Sequence, residues 1–105
     1  REPSLGTMIM VGLGGIYVEI FNDVSFGLNP LTMEDIEKMI NKLKSKKILE
    51  GARGKKPLDS KALINCVAHL SQLLIDFPQI KELDINPLLV TEKGVKVLDA
   101  RIIID

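Results

Sequence analysis

Glu82-Leu83-Asp84-Ile85-Asn86-Pro87-Leu88-Leu89-Val90, followed by Val97-Leu98-Asp99-Ala100-Arg101, is the stretch that decides how this chain folds. Acids and an amide alternate with apolar residues, which is the period of a strand with one face packed. Two adjacent strands are predicted, over 80–90 and 95–104, with Glu92-Lys93-Gly94 in the turn. Glu82, Asp84 and Asn86 then share one face of the first strand. Val95, Val97, Asp99 and Arg101 share one face of the second. An even turn sets Asn86 opposite Asp99 and Asp84 opposite Arg101, with β carbons about 5 Å apart. Asn86 and Asp99 would present hard oxygens to one divalent cation. Magnesium needs only one or two such protein ligands when phosphates supply the rest. The same spacing also fits the polar outer face of a half-exposed hairpin, with Asp84 and Arg101 as a cross-strand ion pair. Spacing alone favours that plainer arrangement. An odd turn or a bulge at Gly94 would shift the register, and Pro87, which donates no ladder bond, marks an edge or a bulge.

Working outward, Asp59 or Ser60 caps a helix whose buried face is Leu63, Cys66, Val67, Leu70, Leu74 and Phe77, and Pro78 ends it. Its polar side carries Lys61, Asn65, His69, Gln72 and Asp76, so His69 reads as a surface residue. Upstream, Gly51-Ala52-Arg53-Gly54-Lys55-Lys56-Pro57 is a basic loop, for which a solvated charge run is the ordinary meaning. An earlier helix opens at Thr32, with Glu34 and Asp35 in its first turn and Ile36, Met39, Ile40 and Leu43 at core spacing. Before it come strand-like segments over 8–11, 16–21 and 24–28. The order strands, helix, helix, strands predicts an α/β (α+β) domain with a mixed, mostly antiparallel sheet and helices packed on one face.

Gly12-Leu13-Gly14-Gly15 lacks the later glycine of a dinucleotide fingerprint and the Gly-Lys-Ser/Thr ending of a P-loop. Its glycines either let backbone amides approach an anion or simply make a tight turn. Glu19, mid-strand among apolar residues, is either turned to solvent or part of a polar site. With 105 residues the chain holds one domain at most. Fourteen basic residues balance fourteen acidic ones, which argues against nucleic acid or an acidic membrane as partner. The absence of tryptophan argues against stacking on bases. Cys66 is the single cysteine, which rules out an internal disulfide and fits a reducing compartment. No membrane span or signal peptide is visible, and a start at Arg1 reads as a piece of a longer chain.

Together, the stretches 12–19 and 82–90, the closing Leu98-Asp99-Ala100-Arg101-Ile102, Leu49-Glu50-Gly51-Ala52-Arg53-Gly54 and the run 70–78 resemble the ATP-grasp domain of NDP-forming acyl-CoA synthetases. In particular they look like the beta chain of ADP-forming acetyl-CoA synthetase. Asp-Ile-Asn-Pro-Leu with a following Asp-Ala-Arg is the most specific part. The more distant succinyl-CoA synthetase beta chain has Glu-Ile-Asn-Pro-Leu followed by Asp-Gly-Lys. The resemblance implies that residues 1–105 are the C-terminal subdomain of an ATP-grasp domain. It makes Asn86 and Asp99 the metal ligands and Asp84 the catalytic candidate beside a phosphohistidine. Gly14, Gly15 and Glu19, in the first matching stretch, are the expected nucleotide contacts. The implied cofactors are Mg2+ and ATP or ADP. The implied partner is a CoA-binding alpha subunit or domain carrying the phosphorylated histidine, in an oligomeric cytoplasmic enzyme. The implied reaction turns acyl-CoA, phosphate and ADP into acid, CoA and ATP. A degenerate segment serving subunit assembly or regulation, for example in an acetyltransferase fusion, is the alternative. Two departures stand out. Val11 replaces the family's phenylalanine before the first glycine, and Phe26-Gly27-Leu28-Asn29-Pro30-Leu31 replaces Phe-Arg-Leu-Ala-Pro-Leu, so an arginine is absent at Gly27. The family's nucleotide-cradling lysine and histidine loop lie upstream of the part this chain matches.

Overall fold

The computed structural model describes residues 7–12, 23–44, 46–51, 54, 56–85 and 87–104. Its elements run β1 (Met8–Gly12), β2 (Val24–Leu28), α1 (Met33–Asn41), α2 (Lys46–Leu49), α3 (Ser60–Asp76), β3 (Ile80–Ile85), β4 (Leu88–Thr91), β5 (Gly94–Val97) and β6 (Ala100–Ile104). Among the described residues every strand pair is antiparallel: β1 with β2, β3 with β6, and β4 with β5. The segment 16–21, expected as a strand, lies outside the described residues.

Helix α1 begins where local chemistry directs it. The Thr32 Oγ1 accepts the Asp35 N–H at 3.0 Å, and the Asp35 carboxylate accepts the Thr32 N–H at 3.0 Å. Two amides that a helix start leaves unpaired are thereby satisfied. Ile36, Met39, Ile40 and Leu43 are all buried, as their spacing predicts. Helix α3 is capped by Asp59, whose Oδ1 accepts the Ala62 N–H at 3.0 Å. The Asp59 N–H in turn donates to the Thr91 carbonyl at 2.7 Å, tying the start of α3 to β4. The core gathers Ile9 from β1, Ile36, Met39 and Ile40 from α1, Leu63, Val67 and Leu74 from α3, and Ile80 from β3. Ile36 is the fully buried side chain at its centre.

Three details differ from the sequence expectation. Phe77 is exposed, because α3 stops at Asp76 and Phe77 serves as its C-cap with a non-helical backbone. Cys66 and Leu70 are only half-buried. Ser71, on the same helix, is buried instead: its hydroxyl donates to the Asn29 Oδ1, and the Asn29 amide donates to the Ser71 carbonyl. This pair fastens the end of β2 to the middle of α3. Gly27, where the family pattern has arginine, lies close against two side chains. A β carbon there would meet the Met39 Sδ at 2.6 Å and the Leu31 Cδ2 at 2.9 Å. Any side chain at position 27 therefore requires Met39 and Leu31 to move.

Candidate functional site

The terminal hairpin builds the site. Its tip is the two-residue loop Glu92-Lys93 between paired Thr91 and Gly94. The Thr91 hydroxyl accepts the Lys93 N–H and donates to the Gly94 carbonyl, both at 3.2 Å. Gly94 is already paired and has φ of 146°, a conformation that suits glycine. The turn is thus even, and the predicted register follows. Leu88 pairs with Val97, Leu83 with Ile102, Asp84 with Arg101 and Ile85 with Ala100. Between the two ladders the Leu98 N–H donates to the Pro87 carbonyl at 3.1 Å, so the same register holds on both sides of the proline.

Pro87 divides what the sequence predicted as two long strands into four short ones. The packed side changes at the same place. Leu83 and Ile85 are half-buried in β3, whereas Leu88 and Val90 are half-buried in β4. Glu82 and Asp84 consequently face outward on β3, and both are exposed.

Asp84 sits directly across from Arg101, but the expected ion pair between them does not form. Arg101 Nη2 instead approaches the diagonal Glu82 Oε1 at 3.9 Å. Long side chains reach diagonal partners as readily as opposed ones. Among the described residues the Asp84 carboxylate makes no hydrogen bond or ion pair. Asp99 lies immediately before β6 and is exposed; its Oδ1 accepts the Ala100 N–H at 2.9 Å. Asn86, Gly14, Gly15 and Glu19 lie outside the described residues. The expected Asn86–Asp99 pairing falls one step beyond the observed Ile85–Ala100 pair.

Asp84 and Asp99 offer hard carboxylate oxygens suited to magnesium. Among the described residues no group of three or more His, Cys, Asp or Glu is placed to hold a metal. That donor set fits a cation that brings phosphate oxygens with it, and does not fit an all-protein cage. Two clefts lie elsewhere, one of about 260 Å³ between Glu37, Lys46 and Ser60, the other of about 280 Å³ beside Leu31 and Lys38. His69 is exposed, as expected. No helix among the described residues is long and apolar enough to cross a membrane.

The described residues form an antiparallel α+β unit whose terminal hairpin carries Asp84 and Asp99, both exposed. Residues 1–104 match the ATP-grasp domain family, and the chain belongs to it. It is 52% identical over 103 residues to the ADP-forming 4-hydroxybutyrate–CoA ligase of Nitrosopumilus maritimus, covering 96% of this chain and 15% of the ligase. It is 45% identical over 104 residues to the beta subunit of ADP-forming acetate–CoA ligase I of Pyrococcus furiosus, covering 99% of this chain and 45% of that subunit. Among solved structures it matches the dinucleotide forming acetyl-coenzyme A synthetase 1 of Ca. Korarchaeum cryptofilum with a TM-score of 0.93 and 42% identity, covering all of this chain and 49% of that one. That structure is a complex with coenzyme A and Mg-AMPPCP, its phosphohistidine segment pointing towards the nucleotide binding site. The chain thus spans less than half the length of these relatives.

Proposed function

We propose that this chain is the C-terminal subdomain of the ATP-grasp domain of an ADP-forming acyl-CoA synthetase. In this reading it supplies one wall of the site where a phosphoryl group passes between a phosphohistidine and ADP or ATP. The observation that carries the proposal is the hairpin register, which brings Asp84 and the segment containing Asp99 onto one strand pair. The match to a structure solved with a magnesium nucleotide supports it. The relatives compared are named as CoA ligases, and nothing in them favours the assembly-module alternative.

Asn86 and Asp99 would hold the magnesium of the nucleotide through oxygen. Bound there, magnesium would neutralise charge on the phosphoryl oxygens. Asp84, outward-facing and uncommitted among the described residues, would accept a hydrogen bond from the imidazole of the incoming phosphohistidine and orient it. Gly14 and Gly15 would donate backbone amides to phosphate, and Glu19 would complete the polar site. The histidine-bearing, CoA-binding partner belongs to this proposal, as do an oligomeric enzyme and a cytoplasmic setting.

The division of labour is testable. An intact enzyme containing these residues is expected to make ATP from acyl-CoA, ADP and phosphate, whereas the 105-residue chain alone makes none. ATP formation by the isolated chain would overturn the reading, as would an intact enzyme that fails with every acyl-CoA while folded and bound to its CoA partner.

A further inference from the structure

The ion pair that Arg101 does make is a weak one. Its guanidinium stands 3.9 Å from the Glu82 carboxylate, and the two side chains are 69% and 59% exposed. Pairs that exposed contribute little, because water and salt screen them. Arg101 is therefore held near Glu82 without being committed to it. Its backbone position is directly opposite Asp84 and two residues after Asp99, the two acids of the candidate wall.

From this placement we infer that Arg101 is a phosphate-contacting residue of the same site, resting on Glu82 when no phosphoryl group is present. The inference rests on the function proposed above. Two carboxylates on a wall that receives phosphate repel it, and a nucleoside di- or triphosphate carries more negative charge than one divalent cation neutralises. A guanidinium carried by the residue opposite Asp84 can supply the missing positive charge. Its planar fork donates to two phosphoryl oxygens at once. Swinging from Glu82 to such an anion gives up a screened surface pair for a charge-assisted, bidentate one. The shared ligand chemistry is a phosphoryl group. It can belong to the nucleotide or to the phosphohistidine.

The test uses the intact enzyme with Arg101→Gln, Arg101→Lys, Glu82→Gln and Asp99→Ala, each checked for an unchanged thermal midpoint without ligand. Equilibrium binding of Mg-ADP and Mg-AMPPCP is measured by titration, and dephosphorylation of the phosphoenzyme by ADP is measured in single turnovers. Arg101→Gln is expected to weaken nucleotide binding about tenfold or more and to reduce its dependence on salt. Arg101→Lys should recover part of the loss, and Glu82→Gln should bind as well as the unaltered enzyme or better. Unchanged nucleotide affinity with a slowed single turnover would assign the contact to the phosphohistidine and still support the inference. Arg101→Gln indistinguishable from the unaltered enzyme in both measurements would overturn it. In that event, loss of binding in Asp99→Ala would leave the proposed function standing, and its retention would remove that reading too.

Discussion

A carboxylate without a partner among the described residues and an arginine with only a distant one face each other across β3 and β6. Asp84 and Arg101 are opposed in register, yet the closest approach of Arg101 is to Glu82. A two-residue turn places the two backbones, but not the long side chains, which choose among neighbours of similar energy. The register was therefore readable from the spacing of Asp84, Gly94 and Arg101, whereas the ion pair was not. Cys66 shows a different residue-scale effect. Its face was legible from helical periodicity, and its partial burial pushes the thiol pKa above the ordinary value through desolvation. The thiolate is the nucleophile, so Cys66 should alkylate with iodoacetamide at pH 7.5 more slowly than free cysteine, and unfolding in urea should abolish the difference. Equal rates in the folded protein would contradict the burial described.

Helix α1 shows how far a single element was readable. Its start at Thr32 and its core face of Ile36, Met39, Ile40 and Leu43 follow from residue type and spacing, and the structure has both. Replacing Thr32 with alanine should cost about 1 kcal/mol in unfolding free energy, as loss of an N-cap does. Hydrogen bonds from the Thr32 backbone and side chain hold the Asp35 pKa below its ordinary value, with Lys38 adding a smaller attraction. A depressed folded pKa stabilises the native state above the unfolded value, and that contribution disappears as pH falls through the folded one. The thermal midpoints of the unaltered protein and Asp35→Asn should accordingly differ at pH 7 and converge in strong acid. A gap that persists or widens towards acid would show that the box does not depend on the Asp35 charge. Helix α2, only four residues long, left no periodicity to read. The burial of Ser71 was equally hidden, because it depends on Asn29, which is distant in sequence. Pro87 was legible as a ladder break, but the change of packed face that accompanies it depends on how the helices lie beneath.

For the molecule as a whole, one face of β1 and β2 is closed by the core through Ile9, while Met8, Met10, Phe26 and Leu28 are exposed on the other. An apolar surface of this kind carries a cost in water. Ligand binding is therefore best measured on the intact enzyme. The fold class was readable from the order of elements and the hairpin pattern. The nucleotide reading depended instead on family resemblance, because Gly14, Gly15, Glu19, Asn86 and Asp99 form no pattern unique to one chemistry. The central claim is that this hairpin carries the magnesium of a bound nucleotide, and its most direct measurement is nucleotide-dependent thermal protection of the intact enzyme with and without magnesium. At a ligand concentration of 100 times Kd, binding should add about 2.7 kcal/mol to stability. The account predicts that the magnesium-dependent part of this protection disappears in both Asn86→Ala and Asp99→Ala while their unliganded midpoints stay near that of the unaltered enzyme. Full magnesium-dependent protection in both variants would contradict it.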